Sequence, residues 1–179
     1  MKIMNIKFII TVAILIASLS TNAQTSTTNK ARIAEIKKWY AEIQTIGLKN
    51  CKTKKYVKSD ENHNRERTSH DQKIQVCQLN NLYQVTKCQF TGYEWAQDVI
   101  IYRKNSKVFF VLIKGGSEGY VYERRYYCNE EEKLIQQLER EGEGGELNPN
   151  NIEKEQENLY KNIKVVLADD FDEIERALN

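Results

Sequence analysis

Between Lys73 and Leu138 the apolar residues recur with the two-residue period of strands, and every interruption is short. A short link returns the chain antiparallel to itself, because a parallel neighbour needs a crossover of roughly a dozen residues or more. Residues 74–79 and 82–90 read as one hairpin around Asn80-Asn81, and residues 95–103 and 108–114 as a second around Asn105-Ser106. Gly115, Gly116 and Gly119 then turn the chain into residues 120–128, and residues 133–138 follow as a sixth strand or a short helix. The expectation is an antiparallel meander of five to six strands.

The second hairpin says how that sheet must be covered. With Lys104 opposite Lys107, Val99, Ile101, Phe110 and Leu112 fall on one face, and Ile100, Tyr102, Phe109, Val111 and Ile113 on the other. Both faces are apolar, so each needs a cover. Ile33, Ile36, Trp39, Tyr40, Ile43 and Ile46 recur every three or four residues, which predicts an amphipathic helix over 28–46 with Gly47 as its C-terminal cap. Ile152, Leu159, Tyr160, Ile163 and Val166 suggest a second helix, and Asp169 or Asp170 offers a cap for a short final one. Residues 139–151, rich in Glu, Gly and Asn and holding the only proline, read as a linker. The expected fold class is therefore α+β: an N-terminal helix on an antiparallel meander within residues 24–138, followed by one or two C-terminal helices over 152–179 that pack on the same domain.

Residues 1–23 carry a different message. Lys2 and Lys7 make a positive start, residues 8–19 are almost uninterruptedly apolar, and Ala23 ends a small-residue segment before Gln24. That is the pattern of a cleaved signal peptide, and the apolar run falls short of the roughly twenty residues of a spanning helix. The expected localisation is periplasmic or secreted, with no membrane span after cleavage. Cleavage leaves 156 residues (179 − 23) and takes the net charge from +2 to 0, since two lysines leave. The neutral remainder is segregated: residues 24–128 hold 19 Lys and Arg against 10 Asp and Glu, and residues 129–179 hold 6 against 15. Pairing between the two parts is the expected use of this asymmetry. Without excess positive charge or a recognition motif, no nucleic-acid partner is expected.

Four cysteines, Cys51, Cys77, Cys88 and Cys128, suit two disulfides in an oxidising compartment. Pairing Cys77 with Cys88 is disfavoured. In a hairpin turning at Asn80-Asn81, Cys77 faces Gln84, and Cys88 lies roughly 13 Å further along the strand. Cys51 and Cys128 are then each expected to pair with one member of that hairpin. The spacings fit no zinc module.

Two segments invite chemical readings. Residues 59–71 hold both histidines, and His63, His70 and Asp71 are weak metal-ligand candidates, because neutral imidazole and carboxylate together suit zinc. A solvated polar loop is the favoured reading there. No Gly-x-Ser-x-Gly turn is present, no cofactor is implied, and no nucleophile, base and orienter can be named together. The second segment is the strand from Tyr120 to Tyr127, in which Tyr120, Tyr122, Arg124 and Tyr126 line one face. Rings beside a guanidinium can hold a sugar or an acidic group, although tyrosines are also ordinary strand formers that fill a covered face.

The helix Ala31-Arg32-Ile33-Ala34-Glu35-Ile36-Lys37-Lys38-Trp39-Tyr40, the run Val108-Phe109-Phe110, the strand Glu123-Arg124-Arg125-Tyr126-Tyr127 and the later Lys133-Leu134-Ile135 resemble a group of uncharacterised exported proteins of Bacteroidales type. The resemblance covers about a third of the chain and departs from it at the four cysteines and the acidic C-terminal part. It implies an exported compartment and a helix-plus-meander fold, and carries no activity with it. The function expected is a non-catalytic binding or interaction module that recognises a glycan, a peptide or an envelope protein. The competing reading is a hydrolase or metal-dependent enzyme built on residues 63–71.

Overall fold

The computed structural model describes residues 28–59, 69–92, 94–142 and 145–149, together with Leu178. Helix α1 spans residues 28–46. Eight strands follow: β1 (Cys51–Ser59), β2 (Ser69–Gln78), β3 (Tyr83–Thr91), β4 (Trp95–Lys104), β5 (Lys107–Ser117), β6 (Tyr120–Cys128), β7 (Leu134–Glu141) and β8 (Asn148–Pro149). They form one antiparallel sheet in chain order, so the meander is present as expected.

The expected fold class needs correcting all the same. The described residues are mostly sheet, with eight strands in place of five or six, and α1 is their single helical element. A lysine-rich segment supplies β1, residues 139–141 extend β7 into the expected linker, and Asn148–Pro149 adds a short eighth strand at the edge. The C-terminal helices were assigned to 152–179. Of those residues only Leu178 lies inside the described set, and it packs against one of the two core clusters. The expected signal peptide, residues 1–23, also lies outside the described residues.

Because the links alternate, the sheet has two chemically distinct ends. At one end the turns use asparagine. Asn80 Oδ1 accepts from the N–H groups of Leu82 and Tyr83, both at 2.8 Å. Asn129 Oδ1 accepts from those of Glu131 and Lys133, both at 2.9 Å. Asn105 and Ser106 take the positive φ values, 51° and 65°, of a two-residue hairpin turn. At the other end the turns use glycine: Gly92, Gly119 and Gly142, the last two at φ of 75° and 78°.

α1 crosses the asparagine end. Arg32 Nε donates to the Cys128 carbonyl at 3.5 Å, and further along the helix Glu42 accepts from the Tyr83 hydroxyl at 2.8 Å. Between them Ile36 and Ile43 are fully buried on Tyr102, Phe109, Phe110 and Leu112. Trp39 stands edge-on to Phe109 at 5.2 Å and lies under the Lys104 ammonium at 3.8 Å. The Gly47 N–H bonds the Ile43 carbonyl at 3.0 Å with φ of 71°, which closes the helix as its sequence position implies. The opposite face buries Ile74, Val76, Cys88, Phe90, Val99, Ile101, Val111 and Ile113.

The face assignment of β5 differs from its alternation. The turn at Asn105-Ser106 does pair Lys104 with Lys107, but a bulge between Tyr102 and Arg103 then sets Tyr102 opposite Phe110. One inserted residue reverses the parity of everything beyond it. Phe110 and Leu112 therefore join the helix-covered face beside Phe109, and Val111 and Ile113 join Val99 and Ile101.

The β2–β3 hairpin shows a related slip. Asn80 acts through its side chain rather than through a positive φ, so Cys77 pairs with Val85, one residue off the register expected from a two-residue turn. Cys77 and Cys88 remain unpaired with each other, as that hairpin requires, and Cys77 is bonded to Cys51 across β1. The second expected disulfide does not form: Cys88 and Cys128 are buried thiols. They sit on β3 and β6, separated by three strand spacings, roughly 14 Å, and by four further residues along β6, well beyond the reach of a disulfide. Burial, with Glu132 nearby, pushes the Cys128 thiol far above its usual range.

Candidate binding site

The face shared by Tyr120, Tyr122, Arg124 and Tyr126 exists, but its four members do not play one part. Tyr126 is buried among Val111, Ile113 and Leu134 and belongs to the core. Burial raises its hydroxyl. Tyr122, one step nearer the glycine end, is half-buried against the same cluster. Tyr120, at the end of β6, is 42% exposed.

Cross-strand pairing adds a residue that the sequence reading did not select. Trp95 pairs with Ser117, and Ser117 with Tyr120, so indole and phenol stand on one face with a small residue between them. Trp95 is 40% exposed. Its indole lies against Gly92, where any side chain would collide with it. In sequence Trp95 looks like an ordinary strand opener, and only the register places it beside Tyr120.

The next row holds Gln97, Gly115 and Tyr122. Gly115 has no side chain, and this lets Gln97 Nε2 reach across β5 to donate to the Tyr122 hydroxyl at 2.6 Å. A Cβ at Gly115 would come within 2.6 Å of that hydroxyl. The rings of Tyr120 and Tyr122 lie 6.0 Å apart, and the Arg124 guanidinium sits 5.1 Å from the Tyr122 centroid. Arg124 is held from below by Glu139 on β7. Burial disfavours the Arg124 charge, but the hydrogen bond and charge of Glu139 outweigh it and leave the guanidinium more basic than usual. A hydrogen bond to Glu141 raises the Tyr120 hydroxyl. Gln72, in the row of Phe90 and Gln97, keeps a buried Oε1 with no partner among the described residues.

These groups can stack on a flat ligand and hydrogen-bond its hydroxyls. His63 lies outside the described residues. His70 and Asp71 fall in β2, where only their backbone is described. Among the described residues no group of three His, Cys, Asp or Glu could hold a metal ion, and no helix is long and apolar enough to cross a membrane. The expected pairing of basic and acidic parts is visible locally, in Arg124 with Glu139 and Arg32 with Glu130 at 3.8 Å.

No family model matches this chain, and no curated protein or solved structure matches it either. The disulfide between Cys51 and Cys77 fits an oxidising, non-cytoplasmic compartment.

Proposed function

We propose that this chain is an exported, non-catalytic binding module that recognises saccharide rings through the aromatic face at the glycine end of its sheet. The observation that supports this most directly is the row Trp95–Ser117–Tyr120, in which two exposed aromatic rings share one face about two strand spacings, or roughly 10 Å, apart. Rings of this kind bind the apolar faces of sugars with little entropic cost, because each has only two side-chain torsions to fix. Gln97, Arg124 and Glu141 flank them and supply donors and acceptors for hydroxyl groups. Periplasmic or secreted localisation belongs to the same reading and rests on residues 1–23 and on the disulfide.

Trp95 also provides the assay, since the only other tryptophan, Trp39, sits on α1 against Phe109 at the asparagine end. Titration of a panel of soluble oligosaccharides should change the Trp95 emission for at least one of them. Tyr120→Ala should weaken that binding by about tenfold, in line with one lost stacking contact worth on the order of 1.4 kcal/mol. A panel that leaves the emission unchanged, or wild-type affinity in Tyr120→Ala for an oligosaccharide that does change it, rules the reading out.

A further inference from the structure

The helix-side surface at the same glycine end carries different chemistry. Because α1 crosses the asparagine end, the cross-strand row Asp98–Lys114–Glu123–Arg140 lies beyond its cover. The next row outward is Ala96–Gly116–Val121, closed by the Gly142 N–H donating to the Val121 carbonyl at 2.8 Å. Charged side chains beside this row leave a groove of about 410 Å³, whose lining includes Lys114, Val121, Tyr122, Glu123, Arg140 and Gly142.

Glu123 organises this groove. Its side chain is only 4% exposed. Oε1 accepts from Arg125 Nε and Oε2 from Arg140 Nη2, both at 2.6 Å. Lys114 Nζ lies 3.7 Å from Oε2, an ion pair beyond hydrogen-bond reach. Three cations thus surround one carboxylate, an excess of two positive charges. The bond to Glu123 uses one of the five guanidinium donors of Arg140. The Lys114 side chain is 52% exposed and that of Arg140 37%, so both heads meet solvent while their partner does not. A cation pair beside a floor of glycines and Val121 is the arrangement that receives an oxyanion, because the glycines leave room for its approach and the buried carboxylate holds a guanidinium in place.

We infer that the groove between Lys114 and Arg140 is an oxyanion site that takes the carboxylate, sulfate or phosphate group of a ligand. It lies on the opposite face from Trp95 and Tyr120 and does not depend on the saccharide reading. Heteronuclear NMR titration of the full chain at constant ionic strength tests it, with sulfate, phosphate and glucuronate as probes and glucose as the uncharged control. The anions should shift the amides of Gly115, Gly116, Val121 and Gly142, and glucose should not. The strongest of the three probes then shows which group the site prefers. Lys114→Gln and Arg140→Gln should each weaken that probe by about tenfold, the size of one lost charged hydrogen bond, while Tyr120→Ala leaves it unchanged. Lys114 is half exposed, so Lys114→Gln keeps the test valid even if Arg140→Gln fails to fold. Shifts spread over the exposed lysines of β1, or full affinity in Lys114→Gln, would overturn the inference.

Discussion

The asparagine end and the glycine end are built from the same strands, yet they spend their side chains differently. At the asparagine end α1, the disulfide and a cluster of aromatic residues fill the helix-covered face. At the glycine end, among the described residues, one face presents Trp95 and Tyr120 beside the half-buried Tyr122, and the other the cations around Glu123. The tyrosines of β6 make the contrast within a single strand. Tyr126, Tyr122 and Tyr120 share one face and one residue type, but exposure rises along the series to 42% at Tyr120. Position along the strand, not residue type, separates core from surface here. Stability should therefore be concentrated at one end and recognition at the other.

The most severe test of that division is Phe109→Ala. Phe109 is 1% exposed and packs on Trp39 and Tyr102. Its truncation should cost about 3–5 kcal/mol of unfolding free energy in denaturant titration. Where the variant remains folded, anion and saccharide affinities should hold, and a parallel loss of either would merge the two ends into one unit. The double variant Cys51→Ser/Cys77→Ser comes next. The bond spans 26 positions, so its removal should cost about 3–4 kcal/mol, again without changing binding.

Much of this division could be read from the chain, and the misreadings have specific causes. The stripe of α1, its Gly47 cap and the Asn105-Ser106 turn were legible because each depends on local chemistry alone. β1 was not, because Lys52, Lys54 and Lys55 mask any alternation. Such lysines suit an edge strand, where they discourage pairing with another chain. The faces of β5 were misassigned through one bulge that no local signal announces. Site residues divided the same way. Tyr120, Tyr122 and Arg124 were found through strand alternation. Trp95 and the Lys114–Glu123–Arg140 row needed the register of three strands, which only tertiary pairing sets.

Glu123→Gln tests the glycine end directly. Burial alone would raise the Glu123 carboxyl, but the hydrogen bonds from Arg125 and Arg140 and the charges of Arg125 and Lys114 outweigh it and hold it below its usual 4.5. A group depressed in the folded state stabilises the fold above its unfolded value, and that contribution is lost as pH falls below 4.5 toward the folded one. Wild-type stability should therefore hold at neutral pH and fall with acid below that point. Glu123→Gln should cost about 1–3 kcal/mol at pH 7 and flatten the acid limb of the curve, measured by thermal melts across pH. An unchanged limb would mean that other carboxylates control the acid response and that Glu123 is not the anchor of the groove.

The smallest effect is the most discriminating. Gly119 turns β5 into β6 at φ of 75°, and a Cβ built there meets nothing within 4 Å. Gly119→Ala therefore pays only for backbone conformation, about 1 kcal/mol, with no collision to add. Tyr120 follows immediately and stands in the register that places it beside Trp95. If the turn only reverses the chain, saccharide affinity should stay within about twofold of wild type, because a loss below 0.4 kcal/mol moves an equilibrium no further than that. A tenfold loss at nearly unchanged stability would instead show that the glycine turn aims Tyr120. The glycine end would then owe its recognition surface to backbone geometry as much as to side chains, which is the role the asparagine turns have at the end that holds the fold together.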